Sequence, residues 1–530
     1  MSGRSGSTPN LPGGFAPAEA SGSPLPKSAP QAAAVGVGLR QSVVSGAIWS
    51  VAQVVGSKVV ALGGQILLAR LLLPEEFGTV GLAYVVFSFA VVFQQIGINE
   101  ILVQRGKHFA RWANAGFWIS LTAATITALL MIAAAPLAAD IYHAPHLAGV
   151  IVVIALSVPL GAMNNVAIAR LQIDLRFRRI SAIYFYANAS QTILSVALAA
   201  VGFGVYSFVI PRVIVNAAQT VVLWKEQASF ILPRLQLRRW KFVLTDSKFI
   251  FLSWIFYAVI WQCDNMSLGF WHTAARVGIY YFAFNLTMQM NTLFTQSIWP
   301  VLLPALSRMQ ENPAHQLHSY LGAARILAAV STPFCLLLAV LAEPTIRVVF
   351  GSKWVEAIPV VQVLALGMTF SVVGATGNIL LQAQGGFKTL AIISGALAAL
   401  FLAMVLPTAH IPGVRGVFAV AIAVAVFHAI MGPVNMYSGI RGLGGRLRDL
   451  AGIYLPALIP GVICVGIAAL AGMWLSNTLG GNIVHIALTG CLGLGLYAIA
   501  LRIAVPSVWM ELKERSKQIA GRIIKRPAAE

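Results

Sequence analysis

Residues 116–135 read GFWISLTAATITALLMIAAA, and residues 451–474 read AGIYLPALIPGVICVGIAALAGMW. Neither run contains a charged side chain, and each reaches the roughly 20 residues that a helix needs to cross a bilayer core. Backbone groups in lipid must find partners within the protein, and both runs are far too long for barrel strands, so they read as helices. The rest of the chain repeats the pattern. Of 530 residues, 58% are hydrophobic and 10% charged, with a mean hydropathy of +0.82. A soluble domain carries about 25% charged residues, so this chain cannot clothe a water-facing surface.

Windows of about 19 residues place spans near 43–69, 77–98, 113–139, 147–169, 181–201, 204–224 and 249–271. Further spans fall near 278–305, 319–341, 357–381, 389–409, 414–440, 450–473 and 482–505. That makes about fourteen, with Pro or Gly breaks expected in 278–305 and 414–440. The net charge of +20 could suggest nucleic acid, but its distribution says otherwise. With the amino terminus inside, about 28 of the 36 Lys and Arg residues fall in inner segments and about 5 outside. The outer ones are Arg70, Arg276, Arg347, Lys353 and Arg415. The bias predicts both termini in the cytoplasm and excludes a nucleic-acid partner.

Residues 1–40, rich in Gly, Ser, Pro and Ala, lack the apolar core of a cleavable signal and are expected to be a disordered cytoplasmic tail. Shifting the sequence by 200 aligns Leu68, Gly78 and Ala83 with Leu268, Gly278 and Ala283. Shifting by about 210 aligns Leu171-Gln172 with Leu381-Gln382. The chain therefore reads as an all-α integral membrane protein of two pseudo-symmetric six-helix lobes plus an appended helix pair. Lobe one covers 41–225 and lobe two 249–440, with a basic cytoplasmic linker at 226–248, helices 13 and 14 at 441–505, and a basic cytoplasmic tail at 506–530. Parallel repeats with a site between them are a transporter architecture.

Six stretches carry a family resemblance. They are LLARLLLPEEFGTVGLAYVV (67–86), QQIGINEILVQRG (94–106), QCDNMSLGFWHTAARVGIYYFA (262–283), PVLLPALSRMQ (300–310), AEPTIRVVFGSKWVEAIPVVQVLALG (342–367) and LQAQGGFK (381–388). In this order they resemble the polysaccharide-transporter branch of the multidrug/oligosaccharidyl-lipid/polysaccharide exporter superfamily, over roughly residues 43–505. The resemblance implies a central cavity that opens alternately to each side of a bacterial cytoplasmic membrane. It also implies a cargo: an oligosaccharide on a polyprenyl diphosphate, flipped for exopolysaccharide, capsule or O-antigen synthesis. A glycan polymerase and a chain-length regulator would be the protein partners.

Ionisable groups at membrane depth cost about 2.5–3.5 kcal/mol on insertion scales, so they tend to face a cavity or a partner. Lys58, Arg212 and Arg325 are such cations, and Asp264 such an acid. Two cations and no obvious buried acid in the first lobe favour an anionic cargo such as a diphosphate. Lys58 could instead snorkel or pair with Asp264, and Arg325 could simply anchor at the inner mouth. Asp264 is the candidate for ion coupling, with a structural hydrogen bond as the alternative. Polar stripes at helical spacing extend the site: Asn188 and Gln191; Arg212 and Asn216; Trp261 with Asp264; Asn285 and Gln289. Each could also be plain inter-helix glue.

Enzymatic chemistry is not expected. No phosphate-binding loop appears, since Gly386-Phe387-Lys388-Thr389 lacks the frame, and there is no H-E-x-x-H or Cys pair. The four cysteines fall in apolar segments without metal spacing, so neither metal nor cofactor is expected. Readings left open beside the flippase are a drug or cation antiporter, a membrane scaffold of a glycan assembly, and an integral glycosyltransferase or polymerase.

Overall fold

The computed structural model describes residues 53–94, 109–174, 176–227, 248–479 and 482–504, with 506 and 509–510 beyond. The expected amino-terminal tail, nearly all of the basic linker and most of the basic carboxyl-terminal tail lie outside the described residues. Fourteen long helices and no strand occur among the described residues. They are α1 (Gln53–Leu71), α2 (Pro74–Gln94), α3 (Phe109–Ile141), α4 (Leu147–Ile173), α5 (Phe177–Ala200), α6 (Tyr206–Gln227) and α7 (Lys248–Trp271). After these come α8 (Ala274–Ser307), α9 (Pro313–Val340), α10 (Ile358–Ala383), α11 (Phe387–Ala409), α12 (Val414–Arg441), α13 (Leu447–Leu479) and α14 (Asn482–Ala504).

Eleven of these are long and apolar enough to cross a membrane. The other three are α5, α7 and α8, each of which carries several polar side chains. α5 carries Asn188 and Gln191, α7 carries Gln262, Asp264 and Asn265, and α8 carries Asn285, Gln289, Asn291 and Gln296. Each of the three carries a polar stripe, as does α6 with Arg212 and Asn216, which is apolar enough to be counted among the eleven. The breaks expected in α8 and α12 do not form: both helices run through their prolines. Such residues are tolerated in membrane helices because neighbours re-satisfy the freed backbone groups.

Each lobe is packed within itself, α3 on α4 and α4 on α6 in the first, α7 on α11 and α10 on both α9 and α12 in the second. Small residues let α10 and α12 come close. A Cβ on Gly374 would meet the Gly432 backbone, and one on Gly377 would meet that of Asn435. Without a hydrophobic drive between helices in lipid, such close approach supplies the dispersion contact that holds them. α13 and α14 pack on each other and on α9, as an appended pair should.

The lobes meet where α2 crosses α8. Gly78 and Gly278 face one another there: a Cβ on Gly78 would overlap the Ala274 carbonyl, and one on Gly278 the Pro74 carbonyl. All four positions are related by the shift of 200 residues seen in the sequence, so the repeat is a local two-fold relation in space. The buried core runs through this crossing, joining Leu68, Phe77 and Ala83 to Tyr280, Phe282 and Ala283.

Candidate functional site: a cavity between the lobes

A cavity of about 200 Å³ opens between α2 and α7. Phe87, Ser88 and Val91 line it from α2, and Trp254, Tyr257 and Trp261 from α7. The α7 residues sit at i, i+3 and i+7, so one helical face presents three aromatic rings. Behind this face, Trp261 rests on His428 of α12 (centroids 5.5 Å apart) and on Phe284 of α8 (6.4 Å). His428 is fully buried and its Nδ1 lies 2.8 Å from the Val424 carbonyl. The sequence reading missed it, because a lone His in an apolar helix has no spacing signal.

Lys58 of α1 reaches across the lobes and donates to Gln289 Oε1 of α8 at 3.0 Å. Counting from the α1 end at Leu71, Lys58 lies about 20 Å deep at 1.5 Å per residue. Gln289 lies about 22 Å from the start of α8 by the same measure, so the two stand at similar depth. Lys58 is thus held by Gln289 rather than by Asp264. Gln65, one face-turn along α1, has both side-chain polar atoms buried without a hydrogen-bond partner in the protein.

Arg212 lies on α6 with its guanidinium 4.3 Å from the Phe87 ring centroid and 5.9 Å from that of Tyr84. It has no carboxylate partner among the described residues, and its Nε is buried without an acceptor. A cation over an aromatic face is held by the ring quadrupole while keeping its charge uncompensated. Because Phe87 also lines the cavity, Arg212 stands one ring behind the cavity wall.

Asp264 is fully buried and does not pair with Lys58. It accepts from Tyr280 Oη at 2.6 Å and from the Asn265 amide at 2.7 Å. Depth explains the separation: seven residues from the end of α7 put Asp264 only about 10 Å in, well short of Lys58. The carboxylate is therefore an internal fixture of the second lobe, joining α7 to α8.

The remaining candidates divide. Asn285 bonds back to its own helix at Tyr281 O, 2.8 Å away. Asn216 is a rung between helices, donating to Ser157 O of α4 at 3.4 Å. Below it Thr220 and Trp224 donate to Leu160 and Met163 of the same helix, at 3.3 and 3.4 Å. For Asn216 the glue reading is the one the geometry supports. Asn188 is exposed and Gln191 half-buried on α5, whose neighbouring Phe185 and Thr192 pack against Gly56 and Gly64 of α1. Arg325 is half-buried on α9 and takes no part in lining the α2–α7 cavity.

At the end where α1 hands over to α2, the lobes are sealed. Trp354, fully buried in the turn before α10, stacks on Phe282 at 4.1 Å, lies 4.9 Å from Phe77, and donates Nε1–H to the Ala69 carbonyl at 2.9 Å. Arg70 donates to the carbonyls of Val348 and Val349 at 2.6 and 2.7 Å. Lys353 donates to those of Arg70 and Leu72 at 2.9 and 2.6 Å. The sequence reading counted both cations as outside charges but had no means of seeing what they touch.

A two-lobed helical bundle with a cleft between lobes, sealed at one end, is the architecture of a membrane transporter. The chain belongs to the polysaccharide biosynthesis protein family, which matches residues 67–359, just over half of its length. It is 27% identical over 307 residues to the succinoglycan biosynthesis transport protein ExoT of Rhizobium meliloti (strain 1021), covering 57% of this chain and 61% of that one. It is 22% identical over 354 residues to the teichuronic acid biosynthesis protein TuaB of Bacillus subtilis (strain 168), covering 65% and 72%. Among solved structures it is similar to the lipid II flippase MurJ in an inward closed conformation. That likeness has a TM-score of 0.70, 15% identity, and coverage of 87% and 99%. The last likeness is one of fold.

Proposed function

We propose that this protein flips oligosaccharide repeat units linked to a polyprenyl diphosphate across the bacterial cytoplasmic membrane, by alternating access between its two lobes, for the synthesis of an extracellular polysaccharide. The observation that carries the reading is the pair Lys58 and Arg212. Both are cations beside the interlobe cleft, neither is neutralised by a carboxylate among the described residues, and Lys58 bridges the lobes through a neutral amide. A diphosphate is the natural counter-ion for such a pair. The three aromatic rings of α7 offer faces for sugar rings, and Gln65 retains free hydrogen-bonding capacity for hydroxyls.

The Lys and Arg bias supports both termini inside, so the sealed end faces outward and the cleft is reached from the cytoplasm. Cargo entering there would replace Gln289 as the partner of Lys58, and the lobes would rock about the α2–α8 crossing. Binding can drive that step only through unequal affinity for the two states. The names of the relatives support the cargo class: transport in succinoglycan biosynthesis for one, teichuronic acid biosynthesis for the other. A polymerase and a chain-length regulator would act on the flipped unit. Asp264 is the candidate for ion coupling.

The decisive experiment is Arg212→Ala in a strain that depends on this chain for polymer export. Export should vanish while protein level and membrane insertion persist. Wild-type export would remove Arg212 from the mechanism.

A further inference from the structure

The contacts sealing the outer end share one chemistry: a side-chain N–H of one lobe donates to main-chain carbonyls of the other. The acceptors Ala69, Arg70 and Leu72 lie in and just past the last turn of α1, where carbonyls lack intrahelical partners and favour a cation. The acceptors Val348 and Val349 lie in the turn Ile346–Phe350 between α9 and α10. No carboxylate bonds to either cation among the described residues. Glu76 lends Lys353 a favourable charge from farther off, but its carboxylate accepts from the Leu73 amide at 2.7 Å. Glu343 is held by Arg347 at 3.1 Å.

We propose that Arg70 and Lys353 act in turn as an outer latch and as an exit-side anion site. With the outer end shut they cap carbonyls of the opposite lobe; when the lobes part there, the same two charges are freed to hold the phosphate-bearing end of the departing cargo. The inference rests on reading that cargo as a lipid diphosphate. A carboxylate partner would hold each cation as a neutral pair, whereas a carbonyl leaves its charge uncompensated. Parting the lobes therefore uncovers two full positive charges, an Arg fork and a Lys point charge, suited to a diphosphate. A ligand bound only in the open state draws the equilibrium toward it. Cargo arriving at the exit would thus loosen the latch that had closed it.

Leu72, buried beside the latch, can report the seal. The full chain is placed in nanodiscs with Cys263, Cys335, Cys464 and Cys491 replaced by Ala or Ser, and Leu72→Cys is reacted with a charged, water-soluble maleimide. Inorganic pyrophosphate should speed labelling several-fold. Arg70→Gln with Lys353→Gln should raise the basal rate several-fold and abolish the pyrophosphate response. Arg70→Lys with Lys353→Arg should keep both near the parent, and monodisperse elution checks that each variant is folded. Lys58→Gln with Arg212→Gln should lose export yet keep the pyrophosphate response, which separates this proposal from the central cations. The proposal is overturned if pyrophosphate leaves the parent unchanged, or if the Arg70→Gln, Lys353→Gln pair keeps the parent's basal rate or its response. Loss of the response in the Lys58, Arg212 pair overturns it equally.

Discussion

Gly78 of α2 and Gly278 of α8 occupy equivalent positions in the two lobes and lie against one another, each leaving room only for the backbone of the facing helix. Any Cβ here meets main chain, which cannot rotate aside. Gly78→Ala and Gly278→Ala should each therefore push the lobes apart at the sealed end, at a cost of about 1–3 kcal/mol as for other overpacked contacts. The double variant should cost less than the sum, because one displacement relieves both overlaps. Thermal unfolding in detergent measures both effects, and strict additivity would place the two sites in separate contacts.

The Lys58–Gln289 bond joins the lobes. Interhelical hydrogen bonds in membranes average about 0.6 kcal/mol, so a double-mutant cycle with Lys58→Met and Gln289→Leu should give a coupling of that order or somewhat more. Export should fail in Lys58→Met but survive in Gln289→Leu, since only the cation is proposed to meet cargo. Equal loss in both would make the bond, not the charge, the functional element.

Asp264 and Tyr280 form a sealed pair at 2.6 Å. Tyr280→Phe strips a fully buried acid of a donor, and hydrogen bonds to charged groups are worth about 1.5–3 kcal/mol. A matching fall in stability is expected. Asp264→Asn should in addition change how transport depends on the ion gradient across proteoliposomes. A dependence identical to the parent's would leave Asp264 with a structural role alone.

His272, in the turn between α7 and α8, is buried with its Nε2 3.1 Å from the Ala409 carbonyl. The carbonyl only accepts, so Nε2 carries the hydrogen and Nδ1 is buried without a partner. Burial pushes its pKa below the usual 6.5, and the charge of Arg276 adds to the shift. A depressed value means the folded state resists protonation. Stability should be flat above about pH 6.5 and fall as pH drops below it, toward the folded-state value. His272→Gln keeps an N–H donor, so its melting temperature should lose this slope between pH 6.5 and 5. A slope equal to that of the parent would assign the acid sensitivity elsewhere.

How much of this was legible beforehand follows from the kind of interaction. The helices at 113–139 and 450–473 could be read because hydrophobic length is a local property, summed along one segment. The repeat was legible at Gly78 and Gly278 because close backbone approach admits one residue type at each copy. Arg212 could be singled out as a cation because a charge in an apolar helix is visible without knowing its neighbours. Its seat on Phe87, 125 residues upstream, was not visible, since nothing local records which ring a guanidinium will cover. Asn216 shows the same boundary from the other side. Its stripe with Arg212 pointed to a cavity, yet the crossing of α6 over α4 turned the amide onto Ser157.

The amino-acid sequence alone determined that the chain is an all-helical membrane protein built from two related halves, because transfer free energy and backbone hydrogen bonding act segment by segment. Only the tertiary structure decided which charges meet which partners: Lys58 with Gln289 rather than Asp264, Arg70 and Lys353 with carbonyls of the opposite lobe. Those pairings depend on depth and crossing angle, which no single helix carries, and they decide where an anionic cargo could be held.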